Sequence, residues 1–353
     1  MKVLVTGTTG FVGGNLVREL LADRYEVRAL VRKESDRRNL EGLDVEVAYG
    51  DLRDAGSLDR AVDGCDGVFH VAAAYTLWAR DPKPIYETNV GGTQRLLAVA
   101  VAHGVKKVVY TSTESTIGIN VNGSGEGEGP ARAASSSEPT HSTLNRCRLG
   151  TEDAFEEIDH VAGHYKRSKL MAEQLALRMW REEGVPVVVV NPTTPIGPGD
   201  VKPTPTGRIV VDFLNRRMPA YVDTGLNLVS VVDVARGHVL AMEKGRVGER
   251  YLLGNRNLTL REVFGLLEGI TGLPAPKLKL PLWVAQGAAY LCEGFAALSG
   301  KPPRVPLAGV KTARKVRYFD CSKAVRELGL PQSPIEDALE RAVRWFRDNG
   351  YAD

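Results

Sequence analysis

Tyr165 and Lys169 stand four residues apart in Tyr165-Lys166-Arg167-Ser168-Lys169, so on a helix they share one face. An ammonium beside a phenol favours the phenolate, which predicts a tyrosine pKa below the usual value of about 10. Tyr165 would then exchange a proton near neutral pH. That chemistry needs a reacting oxygen held against the phenol. Thr111-Ser112-Thr113-Glu114 offers hydroxyls for the purpose, with Thr113 the first candidate and Ser112 the second. A Tyr-x-x-x-Lys pair alone is common in exposed helical turns, so the surrounding sequence has to decide.

Gly7-Thr8-Thr9-Gly10-Phe11-Val12-Gly13 follows an apolar run, Val3-Leu4-Val5, and precedes helically spaced apolar residues. Strand, glycine turn and helix in this order make a pyrophosphate cradle: glycines permit close backbone approach, and the helix N-terminus adds partial positive charge. Gly7, Thr9, Gly10, Phe11, Val12 and Gly13 are the candidate binders. A dinucleotide site selective for NAD places an acid at the end of the second strand to hold the ribose 2′-OH. Here that strand ends at Val31 and runs into Arg32-Lys33. Arg32 suits a 2′-phosphate and favours NADP over NAD. Asp51 and Leu52 follow the third strand, where a carboxylate can meet the adenine amino group or cap the next helix. Ala72, Ala73 and Ala74 follow the fourth strand and leave room for a ligand.

These groups need a scaffold that delivers strand ends to one crevice. Strands are predicted at Glu26–Val31, Val45–Tyr49, Gly67–Val71, Lys107–Thr111 and Val187–Val190, alternating with helices at Phe11–Leu21, Ser57–Val62, Thr93–His103 and Tyr165–Arg181. Uniformly apolar strands between helices predict a parallel sheet buried on both faces. The expected class is α/β, a Rossmann-type doubly wound sheet. Residues 1–190 would form the dinucleotide-binding domain and 191–353 a smaller mixed substrate lobe, with 228–253 returning to the main sheet. Within the first domain, 120–163 is rich in Gly, Ser and Pro and reads as a flexible insertion, with a short helix near Glu152–Ile158. A lid and a plain surface insertion both fit it.

The chain has 353 residues and a formal charge of +3, too weak a balance to imply nucleic acid as a partner. Cys65, Cys147, Cys292 and Cys321 form no Cys-x-x-Cys pair, so no metal site is expected and the thiols read as reduced, in a cytoplasmic protein. The first strand begins at the first residues, leaving no room for a signal peptide. Residues 280–298 carry Trp283, Tyr290, Leu291 and Phe295 with Glu293 the one charge. A helix covering the lobe is the plain reading, and an interfacial segment in peripheral contact with a membrane or lipid substrate is the sharper one.

Taken together, the glycine turn, Gly50-Asp51-Leu52, Thr88-Asn89-Val90-Gly91-Gly92-Thr93, Tyr110-Thr111-Ser112-Thr113, Tyr165-x-x-x-Lys169 and Asn191-Pro192 resemble the extended short-chain dehydrogenase/reductases, or NAD-dependent epimerase/dehydratases, over nearly the whole chain. The resemblance implies Tyr165 as the acid/base and Lys169 as holder of the nicotinamide ribose. It implies Thr113 as the orienter of the substrate oxygen and Pro192 as a cofactor neighbour. It also implies a homodimer through the helices at 93–103 and 165–181. Tyr75–Pro82, Gly163–Lys169, Lys202–Arg208 and Met218–Asn227 are similar to the hopanoid-associated sugar epimerase branch. The 120–163 insertion is longer than the family leads one to expect.

Three reactions compete. Sugar-nucleotide epimerases commonly hold the diphosphate with an arginine before the strand that here reads Leu228–Asp233. Leu226 and Asn227 stand there instead, which argues against a diphosphate. A dehydratase wants an acid and a base after the threonine, and Ser115 replaces one of them. A net reductase acting on a small-molecule ketone or alcohol, sugar-like or hopanoid-linked, needs neither. Epimerisation with tightly held NAD is the alternative, and a catalytically silent redox sensor the remote one.

Overall fold

A computed structural model describes residues 1–76, 78–119, 149–222, 224–299, 303, 307–313 and 316–352. Its centre is a seven-stranded, wholly parallel sheet. Chain order gives β1 (Lys2–Thr6), α1 (Phe11–Ala22), β2 (Glu26–Val31), β3 (Glu46–Tyr49), α2 (Ala55–Val62) and β4 (Gly67–His70). A short α3 (Lys83–Tyr86) continues through a π-turn at Glu87–Gly91 into α4 (Gly92–Ala102). Then come β5 (Lys107–Thr111), α5 (His164–Glu183) and β6 (Val187–Pro192).

Successive residues point to opposite sheet faces. Val3, Val5, Val188 and Val190 pack on one side and Leu4, Val187 and Val189 on the other, all fully buried. This is why the strands carry no polar alternation. The strand order places β1 centrally, between β2 and β4. The chain reverses its direction of winding there, and the carboxyl ends of β1 and β4 open a crevice.

The second half begins with β7 (Thr194–Ile196), α6 (Pro205–Leu214), β8 (Ala220–Val222), β9 (Gly225–Ser230), α7 (Val231–Lys244) and β10 (Arg250–Leu253). It ends with β11 (Arg256–Thr259), α8 (Leu260–Thr271), β12 (Leu278–Leu280), α9 (Leu282–Ser299), α10 (Leu307–Ala313), α11 (Ser322–Leu328) and α12 (Ile335–Asp348). α8 starts with a capping box in which Thr259 and Glu262 satisfy each other's backbone amides. Its apolar side joins α6 and α12 in a separate core around Phe213, Phe264 and Phe346.

Two expectations are corrected here. Residues 228–253 do not return to the sheet as a block. Leu228–Ser230 belong to a three-stranded sheet of β11, β9 and β7, and 231–244 form α7, which covers one face of the main sheet. Only β10 rejoins, pairing with β6 at the edge. Of the expected insertion, 120–148 lie outside the described residues. The short helix expected near Glu152–Ile158 appears only as a 3-10 turn at Ile158–His160, and the segment before it makes tertiary bonds instead. The Glu152 carboxylate accepts the Leu252 amide at 2.8 Å, and Phe155 bridges Ile117.

Candidate active site

Gly7 has φ of +73° with its α-carbon against the Ala72 backbone, which excludes a side chain. A Cβ on Gly13 would lie 2.1 Å from the Gly7 carbonyl, so only glycine lets α1 sit this tightly on the turn. No side chain caps the amides of the helix's first turn at Gly10. Uncapped amides of this kind can receive an anionic ligand. Asn39 secures the turn from behind, donating to the carbonyls of Thr9, Gly10 and Gly199 at 3.0–3.3 Å.

The turn opens into a cleft of about 640 Å³. Gly7, Thr9, Gly10, Phe11, Val12 and Gly13 line its phosphate end. Arg32, Asp51 and Leu52 line the end beyond β2 and β3, and Ala72, Ala73 and Ala74 its floor. Ser112, Thr113, Tyr165, Lys169 and Pro192 line the remaining wall. The candidate cofactor and catalytic residues of the sequence thus line one cleft.

Their detailed roles differ from expectation at three points. Asp51 neither caps α2 nor stands alone. Asp54 caps that helix through the Gly56 amide, and Arg53 grips Asp51 at 2.7 and 3.0 Å, holding its carboxyl below the usual range. Ser112 gives its hydroxyl to the buried Glu173 carboxylate, beneath the cleft wall. Thr113 donates to Glu114 Oε2 at 2.6 Å. The third point is the tyrosine. Loss of hydration, reinforced by Tyr75 and Glu114, raises the Tyr165 phenol well above its ordinary range, rather than lowering it. Burial pulls Lys169 down to about 7, partly countered by Glu173. The Lys169 ammonium donates to Tyr110 Oη at 2.9 Å and the Thr111 carbonyl at 2.6 Å, so desolvation outweighs the charge it was expected to lend the phenol.

Several site residues were not singled out. Tyr75 packs edge-on against Tyr165, with ring centroids 4.5 Å apart. Asn89, in the π-turn, holds Ala74 through both its backbone groups and donates to Ser168 Oγ at 2.8 Å. It thereby ties the cleft floor to the start of α5. Beneath Thr113, Glu173 collects the Ser112, Thr116 and Asn191 side chains and pairs with Arg250 at 2.6 Å. Arg53 and Thr204–Thr206 also line the cleft. Asn89 and Asn191 sit inside motifs quoted for their resemblance, which was the available signal. Glu173 and Arg250 are 77 residues apart in the chain and had none.

The family model described as NAD dependent epimerase/dehydratase family matches residues 3–254. The chain belongs to that family. As a member of the NAD-dependent epimerase/dehydratases it is an NAD(P)-dependent enzyme, an oxidoreductase or epimerase of the short-chain dehydrogenase type. It is 46% identical to a putative dihydroflavonol 4-reductase of Synechocystis, covering 98% of this chain and 95% of that one. Identity is 36% to sterol demethylase protein B of Methylococcus capsulatus, with 99% of each chain covered. Among solved structures, a dTDP-glucose 4,6-dehydratase from Streptomyces venezuelae with NAD bound aligns with a TM-score of 0.72 at 28% identity. That alignment covers 100% of this chain and 99% of that one.

Proposed function

We propose that the protein is a net oxidoreductase that interconverts a ketone and an alcohol on a sugar-like or hopanoid-linked substrate, with NADP preferred over NAD. The observation that carries this reading is the cleft itself. The Tyr165 phenol, kept protonated by burial, shares one cavity with the Thr113 hydroxyl and the glycine cradle. A nicotinamide bound in the cleft supplies the hydride for reduction or accepts it for oxidation. Tyr165 gives its proton to the carbonyl oxygen as that oxygen gains charge, and takes it back in the oxidation direction. The Thr113 hydroxyl, which donates to Glu114 Oε2, would turn its hydrogen to the same oxygen when substrate binds. Lys169, whose ammonium donates to Tyr110 Oη and the Thr111 carbonyl, would hold the ribose hydroxyls of the bound nicotinamide.

Leu226 lines the cleft where a diphosphate would require a cation, which supports a substrate without one. The names of the Synechocystis and Methylococcus relatives, a reductase and a sterol demethylase, agree with an apolar ring substrate. Arg32 lines the cleft beyond β2, which supports a 2′-phosphate. Val101 on α4 and Met171 on α5 are exposed and support a homodimer through those helices. A light-scattering mass of one chain would overturn that part. Epimerisation uses the same Tyr165, Lys169 and Thr113, and differs in keeping its NAD bound throughout.

Tyr165→Phe tests the chemistry. The variant is expected to fold and bind NADPH normally while turnover falls by about 10²–10⁴. Near-normal turnover would remove Tyr165 from the mechanism.

A further inference from the structure

α9 is inverted for a helix on a protein surface. Trp283, Gly287, Tyr290, Leu291, Gly294 and Phe295 recur at the spacing of one helical stripe, and all are exposed. Trp283 is 73% exposed, Leu291 78% and Phe295 70%. A stripe that faces water normally carries the helix's charges. Here the one charged residue, Glu293, is turned to the start of α10, where its carboxylate accepts the Leu307 amide at 3.0 Å. Single exposed apolar residues are ordinary, but a contiguous stripe of them marks a contact surface.

The surrounding charge selects the partner. From Lys277 to Lys315 the sequence has seven lysines and arginines, with Glu293 the only acid. Lys277 and Lys279 flank Leu278, itself 59% exposed, on the strand just before α9. A second copy of this chain would bring the same basic surroundings against itself. An anionic lipid surface is complementary both to the basic flanks and to the apolar stripe. Among the described residues, no helix is long and apolar enough to cross a membrane, which leaves α9 lying along the interface rather than spanning it.

We propose that α9 docks the protein on an anionic lipid bilayer, its Trp283–Phe295 stripe in the interface and the neighbouring lysines at the headgroups. α10, which receives Glu293, contributes Gly309 to the cleft lining, so the docked helix is one element removed from the candidate active site. Delivery of a lipid-borne ketone to that site rests on the reaction proposed above. The docking does not.

The test is flotation of the full-length protein with vesicles of pure phosphatidylcholine and of phosphatidylcholine with equimolar phosphatidylglycerol. The proposal predicts at least about tenfold more protein floating with the anionic vesicles, and loss of that excess in high salt. The Leu291→Glu/Phe295→Glu variant is expected to stay at the bottom of the gradient while titrating with NADPH as the wild type does, which shows that it is folded. Wild-type protein that ignores both vesicles, or a variant that floats as well as wild type, overturns the proposal. So does a wild-type dimer that the double substitution converts to monomer without flotation in either case, because the stripe is then a self-interface. Flotation without measurable ketone reduction would sustain the docking and count against the proposed reaction alone.

Discussion

The two ends of the cleft are built differently. The phosphate end is a single continuous stretch, residues 7–13, whose geometry follows from glycines a few positions apart. The opposite end is assembled from β7, the start of α6, β9 and α10, drawn together only by the finished fold. A site made of neighbours in sequence tolerates almost no change in residue type, whereas one made of distant segments depends on the buttress that holds them.

That contrast makes the phosphate end the place of largest effect. Gly13→Val puts a side chain where 2.1 Å separates the Cβ position from the Gly7 carbonyl. Dinucleotide affinity should fall by on the order of a hundredfold, read by fluorescence titration with NADPH. A loss under fivefold would mean that the turn does not carry the phosphates.

The buttress should show itself in stability. Arg250 and Glu173 form a buried pair, with Glu173 wholly shielded from solvent. Arg250→Met strands that carboxylate and should cost roughly 3–5 kcal/mol in denaturant unfolding. The double variant Arg250→Met/Glu173→Leu should recover most of it. A single variant as stable as wild type would mean that the pair adds nothing net to the fold.

A smaller effect should appear with pH. His238 is buried and held down to about 4 by desolvation, and His70 to about 3. The His238 Nδ1–H donates to the Val234 carbonyl at 2.7 Å, leaving Nε2 to accept the Thr111 hydroxyl at 2.8 Å. Both rings have folded-state pKa values below the unfolded value of about 6.5, so the unfolded chain binds the extra protons. Their contribution is complete above about pH 6.5 and is lost as the pH falls from there toward 4. The unfolding temperature should drop by roughly 5 °C or more over that window, and less in a His238→Gln variant. An unchanged slope in the variant would assign the acid sensitivity elsewhere.

The same contrast explains what could be read from residues alone. The sheet strands, the glycine turn and the Tyr165/Lys169 pair carry local signals: apolar runs, a turn that demands glycine, and a four-residue helical repeat. Tyr75 against Tyr165, Arg53 on Asp51 and Glu173 under Ser112 are contacts that no periodicity encodes. The direction of the Tyr165 shift was misjudged for a related reason. A neighbouring lysine is visible in sequence, whereas the loss of water around both groups appears only once α5 is packed on the sheet.

The most direct measurement is the identity and exchange of the nucleotide on freshly purified protein. Any nucleotide released on denaturation is identified, and the protein is then titrated with NADPH and with NADH. Readily exchanged cofactor and tighter binding of NADPH are expected, in keeping with Arg32 at the end of β2. NAD that survives purification and resists exchange would contradict both the NADP preference and the net reaction, and would make the protein an epimerase.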